Sequence, residues 1–192
     1  MVLFSPLVFP VLLIIDLFTA PRRRPLVRLG AMAIAFAFHE WYAMGLYFRG
    51  MFVSRRDRYG FMQNAMGLWS GSLLKWAGYI INAQFDWGDN DTMPAGTPLV
   101  IARHASNVDA IIPASLFTNR LKRSAHHVLK AELRFAASMD LFGLPLGNYF
   151  VTRDKDTNAE LVQLGRLASV VQPEGGLVIF PEGTFATPES RA

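Results

Sequence analysis

The sequence predicts an α/β fold, a sheet covered by helices, with an apolar helical segment in front of it. Three observations carry this. From Phe85 onward, short apolar runs alternate with stretches of helical character, which is the texture of strands joined by helices. The first 60 residues lack that texture and are instead long apolar stretches punctuated by arginine. The chain of 192 residues is 52% hydrophobic and 18% charged, against about 25% charged in an average soluble domain. Its length fits one domain with a full core, and its mean hydropathy of +0.23 excludes a disordered or collagen-like chain. No cysteine is present, which excludes disulfides, thiolate metal sites and a cysteine nucleophile. There is no internal repeat and no low-complexity segment.

The formal charge is +4, and its placement is uneven. Residues 1–60 hold eight arginines (Arg22, Arg23, Arg24, Arg28, Arg49, Arg55, Arg56 and Arg58) against Asp16, Glu40 and Asp57, while the remainder is close to neutral. Basic charge beside apolar sequence points to an anionic membrane surface. No basic stripe with interleaved aromatics occurs elsewhere, so nucleic acid is not an expected partner.

Residues 1–20 are almost wholly apolar, but the start is not basic, Phe18-Thr19-Ala20 is a poor cleavage site, and three arginines follow at once. These features argue against a signal peptide. Pro6, Pro10 and Asp16 make the stretch a poor straight spanning helix. A second apolar stretch, 29–48, is just long enough to span, yet His39-Glu40 sits at its centre, where a charge costs several kcal/mol. Arginines flank it on both sides, so a span would place one cluster on the wrong side. The reading favoured is a pair of helices lying in one leaflet, or a re-entrant hairpin, with all eight arginines on the cytoplasmic side; an ordinary spanning anchor is the alternative. Residues 61–82 carry apolar side chains at Met62, Met66, Trp69, Leu73, Trp76 and Ile80, one face of a helix. That face is read as core, with interfacial contact by the two tryptophans as the alternative. Gly67 and Gly71 leave room for another backbone.

After a polar, turn-rich segment at 86–96, buried strands are expected at 98–103, 126–130, 148–153 and 176–180, and helices at 108–118, 131–141 and 158–171. Three strand ends carry reactive side chains. His104-Ala105-Ser106-Asn107-Val108-Asp109 follows the first strand and opens a helix, the position where α/β proteins place chemistry. Histidine exchanges protons near neutral pH, and a carboxylate five residues on is placed to hold its second nitrogen. The bland alternative is a helix-capping Asp beside an unrelated His. Phe180-Pro181-Glu182-Gly183-Thr184 ends the last strand with a carboxylate, a flexible Gly and a hydroxyl, or else with a plain turn. The strand at 148–153 ends on Arg153, whose planar fork suits a phosphate or merely pairs with Asp154. His39, His126 and His127 have no matching carboxylate and are read as structural, not metal-binding.

Together these segments resemble the glycerophospholipid acyltransferases, of the 1-acylglycerol-3-phosphate O-acyltransferase type, over residues 61–185. The matching motifs are His104…Asp109 with Ser106 two after the histidine, the strand bearing Phe150 and Arg153, and Phe-Pro-Glu-Gly-Thr at 180–184. Lys130-Ala131-Glu132-Leu133 also resembles the family's Lys-x-Glu-Leu segment, which precedes a helix and a Gly-rich turn, here 142–147. The resemblance implies a glycerolipid acyltransferase-like sheet in an acyltransferase domain, 61–192, behind a membrane-anchoring segment, 1–60. It implies transfer from acyl-CoA or acyl carrier protein, as donor substrate and not cofactor, to a hydroxyl of a lysophospholipid. His104 would be the general base and Asp109 its orienting carboxylate. Arg153 would bind the acceptor phosphate, Glu182, Gly183 and Thr184 would shape the acceptor site with Ser106 nearby, and Lys130 would lie near the thioester. Membrane lipids are then partners, with the active site on the cytoplasmic face.

Two positions depart from the family pattern: Arg103 stands where Asn is frequent before the histidine, and Phe185 where Arg is frequent after Glu-Gly-Thr. Both bear on the acceptor more than on the reaction. Family members usually continue for several elements beyond Glu-Gly-Thr, so the chain reads as truncated at its C-terminus. The rival functions are a membrane-associated serine esterase using Ser106, which lacks a nucleophile elbow, and a non-catalytic lipid-binding protein.

Overall fold

A computed structural model describes residues 5–19, 24–88, 96–103, 109–152, 162, 165, 167, 171 and 175–181. Three long helices come first: α1 (Ser5–Thr19), α2 (Pro25–Met51) and α3 (Arg58–Ile81). Then follow β1 (Leu99–Ile101), α4 (Ile111–Ser115) running on as a π-helical turn (Leu116–Arg120), and β2 (Ala125–Lys130). A 3₁₀ turn (Ala131–Phe135), α5 (Ala137–Gly143), β3 (Tyr149–Val151) and β4 (Gly176–Ile179) complete the described elements. The strands form one parallel sheet in the order β1-β4-β2-β3. Every expected strand is present with small changes at its ends. Of the helix expected over 158–171, Val162, Gly165 and Leu167 are helical, Val171 is in a bend, and the rest lies outside the described residues.

The core forms around α3, which packs on α2, α4 and α5. Met62, Met66, Trp69 and Leu73 of its apolar stripe are buried, as the periodicity predicts. Trp76 is not: it is 49% exposed and lines a shallow groove against Phe38 of α2. The sheet and α4 cover only the first part of the stripe, so its far end outruns the core. Gly67 and Gly71 do admit a close approach, but by a side chain and not a backbone. A Cβ at either would fall within 2.8 Å of the Asn119 amide, and Asn119 Nδ2 donates to the Gly67 carbonyl at 2.8 Å.

The strands are also less uniformly buried than expected. β2 and β4, in the middle, are mostly buried, whereas Leu99 and Ile101 of β1 are 57% and 67% exposed. β1 is an edge strand that pairs only with β4, so one of its faces is open among the described residues.

The acidic residues of the two apolar stretches each cap a helix other than their own. Asp16, fully buried on α1, accepts from the Leu26 and Val27 N–H groups at 3.1 and 2.7 Å, at the start of α2. Glu40 on α2 accepts from the Ser138 N–H at 2.8 Å and the Ser138 hydroxyl at 2.6 Å, in the first turn of α5. A carboxylate at a helix N-terminus takes orphan donors and favourable dipole energy together. Beside Glu40, His39 donates from Nδ1 to the Ala35 carbonyl at 2.7 Å and meets the Ser72 hydroxyl of α3 at 3.0 Å. The His39-Glu40 pair thus ties α2 to α3 and α5.

Glu40→Ala leaves two donors of the fully buried Ser138 without their acceptor. Hydrogen bonds to a charged group contribute about 1.5–3 kcal/mol, so urea denaturation in detergent should show a loss of that size. Glu40→Gln, with one acceptor oxygen left, should lose less. Unchanged midpoints in both variants would mean that the contact contributes nothing.

Candidate active site

A parallel sheet puts all its strand C-termini at one edge, and in open α/β sheets that edge is where ligands bind. Here Ile101, Lys130, Val151 and Ile179 end β1, β2, β3 and β4. Each is followed in the chain by one of the sequence-predicted motifs: His104 to Asp109 after β1, Lys130 itself at the end of β2, Arg153 after β3, and Glu182 to Thr184 after β4. The strand order places the strand ends along this edge as Ile101, Ile179, Lys130 and Val151. From β1 to β3 is three strand spacings, about 14 Å.

Of the predicted site residues, two fall within the described part of the chain. Asp109 is half-buried in the turn that enters α4. Lys130 is half-buried at the last position of β2, in register with Val151. His104, Ser106, Arg153, Glu182, Gly183 and Thr184 lie outside the described residues. Behind Lys130, Arg134 of the 3₁₀ turn is held at 2.6 Å by Asp140 and lies over the Phe150 ring at 5.7 Å. That pairing fixes the Lys130-Ala131-Glu132-Leu133 segment against β3.

Sequence reasoning did not find an apolar groove of about 880 Å³ between the first half of α2 and the last half of α3. Met32, Phe36, Leu74 and Ala77 form its walls, Arg28 stands at one side, and Ile111 closes it. Ile111 opens α4 two residues after Asp109. The groove is therefore lined at one point by the start of α4. Its signal lay in the two apolar faces of α2 and α3, which no single-helix pattern brings together.

The two histidines of β2 sit in the strand body, away from its C-terminal end. His126 and His127 are 3% and 2% exposed, and none of their four ring nitrogens has a hydrogen-bond partner. Burial lowers the pKa of both. His126 is partly compensated by the nearby Gly147 and Leu146 backbone, which does not reach bonding geometry. His127 goes down to about 4. Asn148 beside it favours the charged form, but Asn148 Oδ1 is already taken by the His127 backbone N–H at 2.9 Å.

A neutral buried imidazole makes folding pH-dependent. Above pH 6.5 the folded and unfolded states bind the same number of protons at His127. As pH falls from 6.5 toward 4 only the unfolded state takes one up, and stability drops by up to about 3 kcal/mol. Denaturation at pH 7.5 and 4.5 should show the fall, and His127→Phe should reduce it. An undiminished slope in that variant would assign the acid sensitivity to other groups.

The family model for acyltransferases matches residues 85–191, which include all four strands and every motif at the edge. The chain belongs to the acyltransferase family. This agrees with the resemblance carried by His104…Asp109, Arg153 and Glu182-Gly183-Thr184. No curated protein and no solved structure matches the chain. The acyltransferase match begins after α3, so α1, α2 and α3 lie on its N-terminal side.

Proposed function

We propose that this acyltransferase moves an acyl group from acyl-CoA or acyl carrier protein to a hydroxyl of a lysophospholipid, with 1-acylglycerol 3-phosphate as acceptor, at the cytoplasmic face of a membrane. The observation that carries the lipid substrate is the apolar groove ending at Ile111, two residues from Asp109. A groove of this size with apolar walls suits an acyl chain.

In this reading His104 removes the acceptor hydroxyl proton as the oxygen attacks the thioester carbonyl, and Asp109 orients the imidazole. The carbon–sulfur bond breaks, the new carbon–oxygen ester bond remains, and the proton passes from His104 to the departing thiolate. Arg153, two residues after β3 in the chain, holds the acceptor phosphate. Glu182, Gly183, Thr184 and Ser106 shape the space between, and Lys130 stands near the thioester.

The test offers the purified protein labelled acyl-CoA with glycerol 3-phosphate, 1-acylglycerol 3-phosphate and other lysophospholipids in parallel. Product is expected first with 1-acylglycerol 3-phosphate. Transfer to none of them overturns the reading. Release of free fatty acid with no acceptor dependence, together with fluorophosphonate labelling of Ser106, would replace it with the esterase.

A further inference from the structure

We propose that a cleft between α3 and the π-helical turn after α4 binds the nucleotide end of a coenzyme A thioester. The base lies against the aromatic pair Phe85 and Trp87, and the phosphates lie against Lys75 and Arg120. The site rests on the proposed acyl transfer only for its role as donor site. It selects acyl-CoA over acyl carrier protein, whose pantetheine arm carries no base.

The cleft has a volume of about 600 Å³, within the range of small-ligand pockets. Its lining includes Tyr42 of α2, Ser72 and Lys75 of α3, Phe85 and Trp87 of the segment after α3, and Arg120 of the π-helical turn. The grooves at Met32 and at Trp76 have mostly apolar walls, whereas this cleft carries two cations and no carboxylate in its lining. Lys75 and Arg120 are exposed, and neither meets a carboxylate among the described residues. Asp86, the nearest acid along the chain, is outside the lining and accepts from the Gly88 N–H at 2.9 Å. A cleft with charge of one sign and low-dielectric walls concentrates its field on an anion.

The flat groups select which anion. Phe85 and Trp87 stack with ring centroids 6.2 Å apart and planes 30° apart, and the Arg120 guanidinium carbon lies 5.8 Å from the Trp87 centroid. A heteroaromatic base extends such a stack, and a guanidinium beside it takes phosphate oxygens. An inorganic anion has no use for the stack, and an acyl chain has none for the two cations. Arg120 lies nine residues beyond Ile111, about 14 Å along a helix. An extended pantetheine arm covers a distance of that order, so a nucleotide held at Arg120 leaves its thioester free to reach the start of α4.

The test titrates the full chain in detergent, by calorimetry, with adenosine 3′,5′-bisphosphate, a fragment of coenzyme A. Inorganic phosphate and a short-chain phosphatidic acid are titrated in parallel. The nucleotide should bind at a single site, more tightly than either, and more weakly as salt rises. Lys75→Gln and Arg120→Gln should each weaken it about 10- to 150-fold, with parental melting temperatures. Arg120→Lys should recover part of the loss. Trp87→Leu should weaken the nucleotide about fivefold or more and leave inorganic phosphate unchanged. In turnover, Arg120→Gln should raise the KM for acyl-CoA and not that for an acyl carrier protein thioester.

Nucleotide binding that survives both glutamine substitutions would overturn the site. So would phosphatidic acid that binds more tightly than the nucleotide and is lost in the same variants, which would make the cleft a lipid headgroup site. A KM for the acyl carrier protein thioester that rises as much as that for acyl-CoA would make the two cations a protein-docking patch instead. Nucleotide bound at Lys75 and Arg120 without any acyl transfer upholds the site and counts against the proposed function alone. Transfer from acyl-CoA with no nucleotide bound in the cleft counts against the site alone.

Discussion

His104→Ala is expected to lose acyl transfer about 100- to 10,000-fold, the usual contribution of a positioned general base, while the far-ultraviolet circular dichroism and melting temperature stay at parental values. His104 follows β1, the edge strand, and β1 contributes little to the buried core: its Leu99 and Ile101 are exposed. The other histidines cannot take the place of His104. His39 is bonded to Ala35 and Ser72, and His126 and His127 are sealed in β2. Asp109→Asn should be severe as well, because an amide can present its nitrogen to the ring and reverse the tautomer that the base needs. Asp109 sits in the turn before α4, whose N-cap position is Ala110, so the helix content of Asp109→Asn is measured beside its rate. A His104→Ala protein that works near the parental rate would remove general-base catalysis from this site.

The strands were legible because each is a short apolar run bounded by polar or glycine-rich sequence, and the α/β sheet followed from their alternation with helices. The parallel direction of the strands was not read from the sequence. What the sequence hid lies in long-range pairing. Asp16 and Glu40 look like misplaced charges in apolar stretches, because their partners Leu26, Val27 and Ser138 are 10, 11 and 98 residues away. Trp76 has the period of a core residue, and only the limited reach of α4 and the sheet leaves it outside. The exposed side of α2 was invisible for a different reason. A helix apolar on nearly all sides gives the 3.6-residue period nothing to separate, so the buried and exposed sides are told apart only by what α3 and α5 cover.

Arg153→Ala should raise the KM for the phosphorylated acceptor about 10- to 150-fold, the equivalent of a charged hydrogen bond of about 1.5–3 kcal/mol, and leave the KM for acyl-CoA nearly unchanged. The expectation rests on place and on chemistry. Arg153 follows β3, which stands at the end of the sheet opposite β1. In the proposed reading the acceptor presents its hydroxyl toward the β1 side and its phosphate toward β3. Arginine has the reach and the planar fork to close the remaining gap from the β3 side and to hold two phosphate oxygens at once. Arg153→Lys should recover part of the loss, because an ammonium restores the charge but not the fork. A surface ion pair with Asp154 makes different demands: it would contribute about 0–1 kcal/mol to stability and nothing to either KM. Steady-state kinetics with each substrate varied in turn separates the two. An acceptor KM that does not move in Arg153→Ala, or an equal loss for both substrates, would take Arg153 out of the site, and the phosphate would then have to be sought nearer β4 or Lys130.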